Sequence, residues 1–216
     1  MHVWGIVVAG GQGTRFGTLK QFERLGVARV VDRAVLRTAA ACDSVVVVIP
    51  RGTQWDGMPV AAAVAGGARR SDSVRAGLAA VPDDADIVVV HDAVRPLAAP
   101  ALFDAVIAAV GAGFDAAMPA LPVPDTLKRV EGDRVVETVV RDDLVAVQTP
   151  QAFRAAALRA AHGAGGNATD DAALVEAAGG RTVVVPGDPR NLKVTTTDDL
   201  VVAAALLDAS DETAVT

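Results

Sequence analysis

Between Val7 and Phe22 the chain reads VVAGGQGTRFGTLKQF, a stretch that strings Gly10, Gly11, Gly13 and Gly17 around Arg15 and places Lys20 just beyond. Glycines let backbone N–H groups converge on an anion without interference from Cβ atoms, and two nearby cations add charge where a polyphosphate would lie. Two familiar phosphate loops are excluded by spacing. A dinucleotide fingerprint needs a third glycine where Phe16 stands, and a Walker loop needs Gly-Lys-Ser/Thr where Gly17 is followed by Thr18. A phosphate cradle and a plain tight turn both remain open, although a plain turn has no need of Arg15 and Lys20.

Three further stretches carry chemistry. HDAVRP, His91 to Pro96, sets Asp92 and Arg95 after an apolar run. An acid there can hold Mg²⁺ or substrate hydroxyls and an Arg can grip a phosphate; alternatively the Asp caps the turn and the Arg pairs with it. His91 reads as a satisfied rim histidine rather than a metal ligand. GGARRSDSV, Gly66 to Val74, combines a glycine turn with Ser71, Asp72 and Ser73 at a helix start, and capping leaves the paired Arg69 and Arg70 unexplained. NLKVTTTDDL, Asn191 to Leu200, places Lys193, which by itself reads as an ordinary surface lysine, between two elements, with Thr197 as the expected cap of a final helix.

Something must bring these stretches together. Apolar runs at Val3–Val8, Val45–Ile49, Ile87–Val90 and Val183–Val185 alternate with helical stretches at Ala28–Ala41, Ser73–Val81 and Ala101–Val110. Continuous Val/Ile runs alternating with helices predict an α/β protein with a mainly parallel sheet covered on both faces. Ligands of such sheets sit at the carboxyl ends of strands, where the loops after Val8, Val90 and Val185 all fall. One region breaks the rhythm. From Pro122 to Val147 the pattern alternates about the turn EGD, which predicts an antiparallel two-stranded excursion, either folded back on its own domain or packed elsewhere.

The whole chain of 216 residues reads as one domain, 1–216, without repeats or linker, ending in a frayed tail after Asp208. A net charge of −6 argues against broad contact with nucleic acid, yet leaves room for one bound nucleotide. No apolar run approaches the roughly 18 residues of a membrane span, and the N-terminus lacks the basic leader of a signal peptide. The single cysteine, Cys42, reads as a small hydrophobe in an Ala-rich helical segment, consistent with a reducing cytoplasmic compartment.

Taken in order, AGGQGTRFG…KQF, GGARRSDSVRAGL, VHDAVRP, PVPDTLK, QTPQAF, TDDAALVE and NLKVTTTDDL resemble the 2-C-methyl-D-erythritol 4-phosphate cytidylyltransferase family. The resemblance spans almost the whole chain. It implies a three-layer α/β/α Rossmann-like nucleotidyltransferase fold that joins CTP to a polyol phosphate and releases pyrophosphate, with Mg²⁺ as the divalent cation.

Carried over residue by residue, Arg15 and Lys20 look like the pair that stabilises charge on the α-phosphate. Ala9, Gly10, Gly11, Gly13, Gly66, Gly67 and Ser73 match the CTP pocket, which Asp92 borders as the acid near Mg²⁺. Arg95, Thr126, Arg141, Thr149 and Lys193 match the acceptor side, with Arg141 and Lys193 orienting the attacking phosphate. The excursion at about 122–147 resembles the family's protruding β-arm, which implies a homodimer in which Thr126 and Arg141 enter the partner's site. Gly10 stands where the family usually has Ala, Phe16 where it often has Met, and the Arg15 to Lys20 spacer is short and lacks the usual Pro. The sister ribitol-5-phosphate cytidylyltransferases share several of the same motifs. A nucleotide-binding protein that kept the fold and lost turnover is the rival from another class.

Overall fold

The computed structural model describes residues 1–11, 19–165 and 170–207. Gly13, Arg15 and the tail after Asp208 lie outside the described residues, so the expectations attached to them concern positions not described.

In chain order the elements are β1 (Val3–Val8), a 3₁₀ turn (Lys20–Phe22), β2 (Arg24–Leu25), β3 (Ala28–Arg29), α1 (Val30–Ala39), β4 (Ser44–Ile49), β5 (Ala62–Ala65), α2 (Arg70–Leu78) and β6 (Ile87–Asp92). They continue with α3 (Pro100–Gly111), β7 (Ala116–Pro122), β8 (Leu127–Glu131), β9 (Arg134–Val139), β10 (Val145–Val147), β11 (Gln151–Arg154), α4 (Ala155–Gly163), α5 (Asp171–Ala177), β12 (Thr182–Pro186) and α6 (Thr197–Leu206). Strands β5, β4, β1 and β6 run parallel, β11 inserts antiparallel between β6 and β7, and β12 pairs parallel with β7.

The mainly parallel sheet follows from strands that bury both faces. In β1, β4 and β6, alternate residues go to opposite sides, as a period of two requires. Ile6, Val46, Val48, Val88 and Val90 pack with Leu78, Leu158 and Val175 of α2, α4 and α5. Val7, Val45, Val47 and Ile49 pack with Val31 and Val35 of α1, while Ile87 and Val89 meet Phe103 and Val106 of α3. The three layers expected from the sequence are therefore present. Each such buried aliphatic side chain contributes about 1.5–3 kcal/mol of transfer free energy.

Local chemistry moves several boundaries. The first helix starts at Val30, because Ala28–Arg29 pair with Arg24–Leu25 as a short ribbon, and it stops at Ala39, which leaves Cys42 beyond the helix. Cys42 is only half-buried, and burial with the neighbouring Asp43 charge pushes its thiol up to about 12, so it carries little thiolate. Helix α2 starts at Arg70 rather than Ser73, with Asp72 accepting the Arg69 N–H at 3.2 Å. The final helix is capped by Thr196, not Thr197. Thr196 Oγ1 accepts the Asp199 N–H at 3.2 Å and Asp199 accepts the Thr196 N–H at 2.8 Å, a capping box one residue earlier than expected. These bonds and those from Thr195 outweigh the burial that would raise the Asp199 carboxyl and hold it at about 2.

The excursion is a hairpin of β8 and β9, closed by Gly132–Asp133 with Gly132 at φ +64°. Its end differs from expectation, because β10 returns to the main sheet and pairs with Ala120–Pro122 of β7.

Candidate functional site

The carboxyl end of β1 is held on two sides. Ala9 N–H donates to Val48 O at 2.7 Å, and the buried Gln21 amide donates to both Ala9 O and Gly11 O at 2.8 Å. Next to it, the ends of β1 and β5 meet the first turn of α2. Ser73 Oγ accepts the Gly67 N–H at 3.1 Å and donates to Arg69 O at 3.2 Å. A Cβ on Gly66 would lie 2.9 Å from Ser73 Oγ and 3.3 Å from the Gly10 Cα, so that approach requires glycine. Ala9, Gly10, Gly66, Gly67 and Ser73 thus share one rim, as the sequence led us to expect.

Asp92, the last residue of β6, is the centre of the same rim. Lys193 Nζ donates to its Oδ2 at 2.8 Å, and Arg70 Nε donates to its Oδ1 at 3.3 Å. Arg70 is held in turn by Asp171, whose Oδ2 accepts from Nη1 at 2.6 Å. Asp171 Oδ1 also accepts from His162 Nε2 at 3.0 Å, which assigns the proton to that nitrogen. Burial alone would raise the Asp92 carboxyl, but Arg70, Lys193 and Arg95 more than offset it and hold it far below the usual carboxylate range. Burial likewise favours loss of the Arg70 proton, and the two carboxylates overcome this and raise its affinity for the proton.

Behind Asp92 runs a chain of neutral donors. His91 Nε2 faces Arg95 O at 3.1 Å, and a carbonyl only accepts, so Nε2 carries the proton. Nδ1 therefore accepts from the Thr149 hydroxyl at 3.1 Å, and that hydroxyl oxygen accepts the Asp92 N–H at 3.0 Å. A second proton on His91 has no acceptor there, and burial pushes its pKa down to about 4. The unfolded chain binds this proton near pH 6.5 and the native state does not, so stability is complete above pH 6.5 and is lost as pH falls toward 4. The loss is on the order of 3 kcal/mol at about 1.4 kcal/mol per unit. Asp92 adds to acid lability only below its ordinary value of 3.8, outside that window. Urea denaturation at pH 7 and pH 4.5 measures it; equal midpoints would contradict a neutral, buried His91.

The Lys193 loop is tied down by Asn191, fully buried, whose Nδ2 donates to Thr149 O at 2.9 Å. Arg95 Nη1 donates to Asn191 O at 2.7 Å, so its pairing is with this loop rather than with Asp92, and its buried Nε has no partner among the described residues. Lys20 opens the 3₁₀ turn next to Gln21. Thr126 and Arg141 stand apart, exposed at the base of the hairpin, where Arg141 Nη1 donates to Pro124 O. Among the described residues neither is bonded to the Asp92 cluster. Sequence reasoning missed Arg70 as an Asp92 partner, Asp171, Gln21 and Asn191. Only the unexplained Arg69–Arg70 pair hinted at the first: Arg69 serves the helix cap, and Arg70 reaches the rim.

Among the described residues no three His, Cys, Asp or Glu side chains gather as a metal site. Each Asp92 oxygen accepts one hydrogen bond from a cation and retains a further lone pair, so this carboxylate suits a hard cation whose other ligands come from phosphates and water.

A three-layer sheet that gathers glycine backbone and cations at the carboxyl ends of its strands defines the nucleotide-binding α/β class. A family model described as 2-C-methyl-D-erythritol 4-phosphate cytidylyltransferase matches residues 3–209. The chain belongs to this family. It is 47% identical to a bifunctional enzyme IspD/IspF of Anaeromyxobacter dehalogenans, covering 99% of this chain but 59% of that one. It is 46% identical to a 2-C-methyl-D-erythritol 4-phosphate cytidylyltransferase of Rhodococcus jostii, covering 95% of each. The crystal structure of the Thermus thermophilus cytidylyltransferase superposes with a TM-score of 0.83 at 36% identity, over 95% of this chain and 98% of that one.

Proposed function

We propose that the chain transfers the cytidylyl group of CTP to 2-C-methyl-D-erythritol 4-phosphate. An oxygen of the acceptor phosphate attacks the α-phosphorus in line, the bond to the β-phosphate oxygen breaks, and pyrophosphate leaves; no protein nucleophile is needed. The observation that supports this most is convergence. Gly10, Gly66 with Ser73, Asp92 and Lys193 come from four distant motif segments and meet on one rim, linked through the first turn of α2.

In this reading Ala9 to Gly11, Gly13, Gly66, Gly67 and Ser73 receive the nucleotide, and Arg15 and Lys20 neutralise charge on its α-phosphate. Asp92 and Lys193 face the acceptor phosphate, with Arg95 adding positive charge beside them and Thr149 acting through Asp92. Asp92 would hold Mg²⁺ together with the phosphates. The ion, when bound, lowers the repulsion between the anions that must meet. A reducing cytoplasm suits the lone Cys42, and among the described residues no helix is long and apolar enough to cross a membrane.

Pyrophosphate release with CTP and Mg²⁺ tests the reaction, with methylerythritol phosphate and ribitol phosphate offered in parallel. Turnover with the first acceptor is expected. Turnover with ribitol phosphate alone would reassign the acceptor, and CTP binding without turnover would leave a nucleotide-binding protein.

We also propose a homodimer through the hairpin, which would carry Thr126 and Arg141 into the partner's site. In its favour, Val130, Val135 and Val140 are 54%, 56% and 74% exposed, more apolar surface than an isolated ribbon gains from keeping in water. Sedimentation at micromolar concentration should give a dimer, and Val135→Asp should shift it to monomer and abolish most turnover. A fully active monomer would remove Arg141 from the mechanism.

A further inference from the structure

Gln21 is 2% exposed, and its amide nitrogen donates to both Ala9 O and Gly11 O at 2.8 Å. A primary amide has two N–H hydrogens, and both are used here. A trans peptide unit is planar, so the Ala9 carbonyl and the Gly10 N–H point in opposite directions. Drawing the carbonyl toward Gln21 therefore turns the Gly10 N–H away from it. That peptide borders the nucleotide rim, since a Cβ on Gly10 would lie 3.1 Å from Ser73 Oγ and 3.5 Å from the Gly66 Cα. Gln21 also belongs to the 3₁₀ turn that Lys20 opens, which Phe22 N–H to Leu19 O at 2.8 Å and Glu23 N–H to Lys20 O at 3.2 Å hold in place.

We infer that Gln21 is a positioning residue for the nucleoside triphosphate, clamping Ala9–Gly11 with the Gly10 N–H turned outward while fixing where the Lys20 side chain begins. This rests on the proposed reaction for the identity of the ligand. Without the clamp, the buried Ala9 carbonyl and the more exposed Gly11 carbonyl lose their donors and the peptide is free to flip, so the site must reorder itself for each nucleotide that binds.

The test compares Gln21→Met, which keeps length and removes both donors, with the isosteric Gln21→Glu. Calorimetry with CTP and Mg²⁺ gives Kd, and pyrophosphate release gives kcat and both KM values at pH 8 and pH 6. For Gln21→Met, Kd and KM for CTP should rise by about tenfold or more while KM for the acceptor stays within about twofold. A variant that merely reduced the amount of folded enzyme would lower kcat and leave both KM values alone. Gln21→Glu should bind CTP worse still at pH 8, where its carboxylate faces two carbonyls, and regain part of its affinity at pH 6, because burial against carbonyls raises the new carboxyl well above its ordinary value of about 4.3 and its one O–H can then donate to one of them. Neither the wild type nor Gln21→Met should show that regain.

CTP affinity within about twofold of wild type in both variants would overturn the inference. So would equal rises in both KM values, or failure of both variants to fold, which would make Gln21 a folding residue only. Wild type that binds CTP and turns over neither acceptor would sink the reaction instead, leaving the Kd comparison to decide the role of Gln21.

Discussion

Lys20→Ala is expected to lose on the order of 10²–10³ in kcat while its Kd for CTP rises by less than about tenfold. The α-phosphate gains negative charge on its non-bridging oxygens as the acceptor attacks. A cation placed beforehand at that position therefore contributes more in the transition state than in the bound ground state. Lys20 stands at the start of a 3₁₀ turn whose next residue clamps the glycine rim, which supports that proposed role. Calorimetry with CTP and steady-state pyrophosphate release separate the two quantities. Losses confined to binding, with kcat intact, would show that Lys20 only attracts the nucleotide. The short spacer between Arg15 and Lys20 makes this the sharpest test of the charge arrangement, because the proposed role requires Lys20 to reach the α-phosphate across it.

Replacing Arg70 with Met should cost about 3–5 kcal/mol of stability, the range expected when one partner of a buried ion cluster is removed. Arg70 serves two carboxylates at once, Asp92 and the 1% exposed Asp171, whose other side-chain bond among the described residues is to His162 Nε2. Its removal strands a charge in the interior between α2 and α5. Adding Asp171→Leu should recover part of the loss by removing that stranded charge, and a double-mutant cycle in urea reads the coupling. Turnover should fall as well, because among the described residues Asp92 would keep Lys193 as its sole cationic hydrogen-bond donor. A cost below about 1 kcal/mol would mean that water already screens the pair as it does at surfaces.

Much of this molecule was legible before folding, and particular residues show why. The runs at Val3–Val8 and Ile87–Val90 are apolar at every position because their strands are covered on both faces, so they announce a parallel sheet without its coordinates. The rim motifs were legible for a related reason, since a loop that ends a parallel strand must fall on the ligand edge. Asp92 was a candidate from its segment, with a turn cap as the alternative, whereas Ser73 with Gly66 and Lys193 drew their roles from the family resemblance.

Their partners could not. Lys193 and Asp171 stand 101 positions from Asp92 and Arg70 respectively, and no local spacing links an aspartate on α5 to an arginine on α2. The same holds for Gln21, whose two carbonyl partners are a matter of backbone direction rather than residue type. The cap falls at Thr196 rather than Thr197, because five consecutive polar residues, Thr195 to Asp199, offer several registers. Only the geometry of the Asp199 carboxylate selects one. By itself, then, the sequence determined the layers, the edge where ligands bind and the residue types gathered there, because burial and strand polarity are periodic along the chain. Which cation holds which carboxylate, which way the Ala9–Gly10 peptide faces and which proton His91 keeps were decided by tertiary structure alone. Hydrogen bonds and ion pairs depend on ångström distances between segments that only packing brings together.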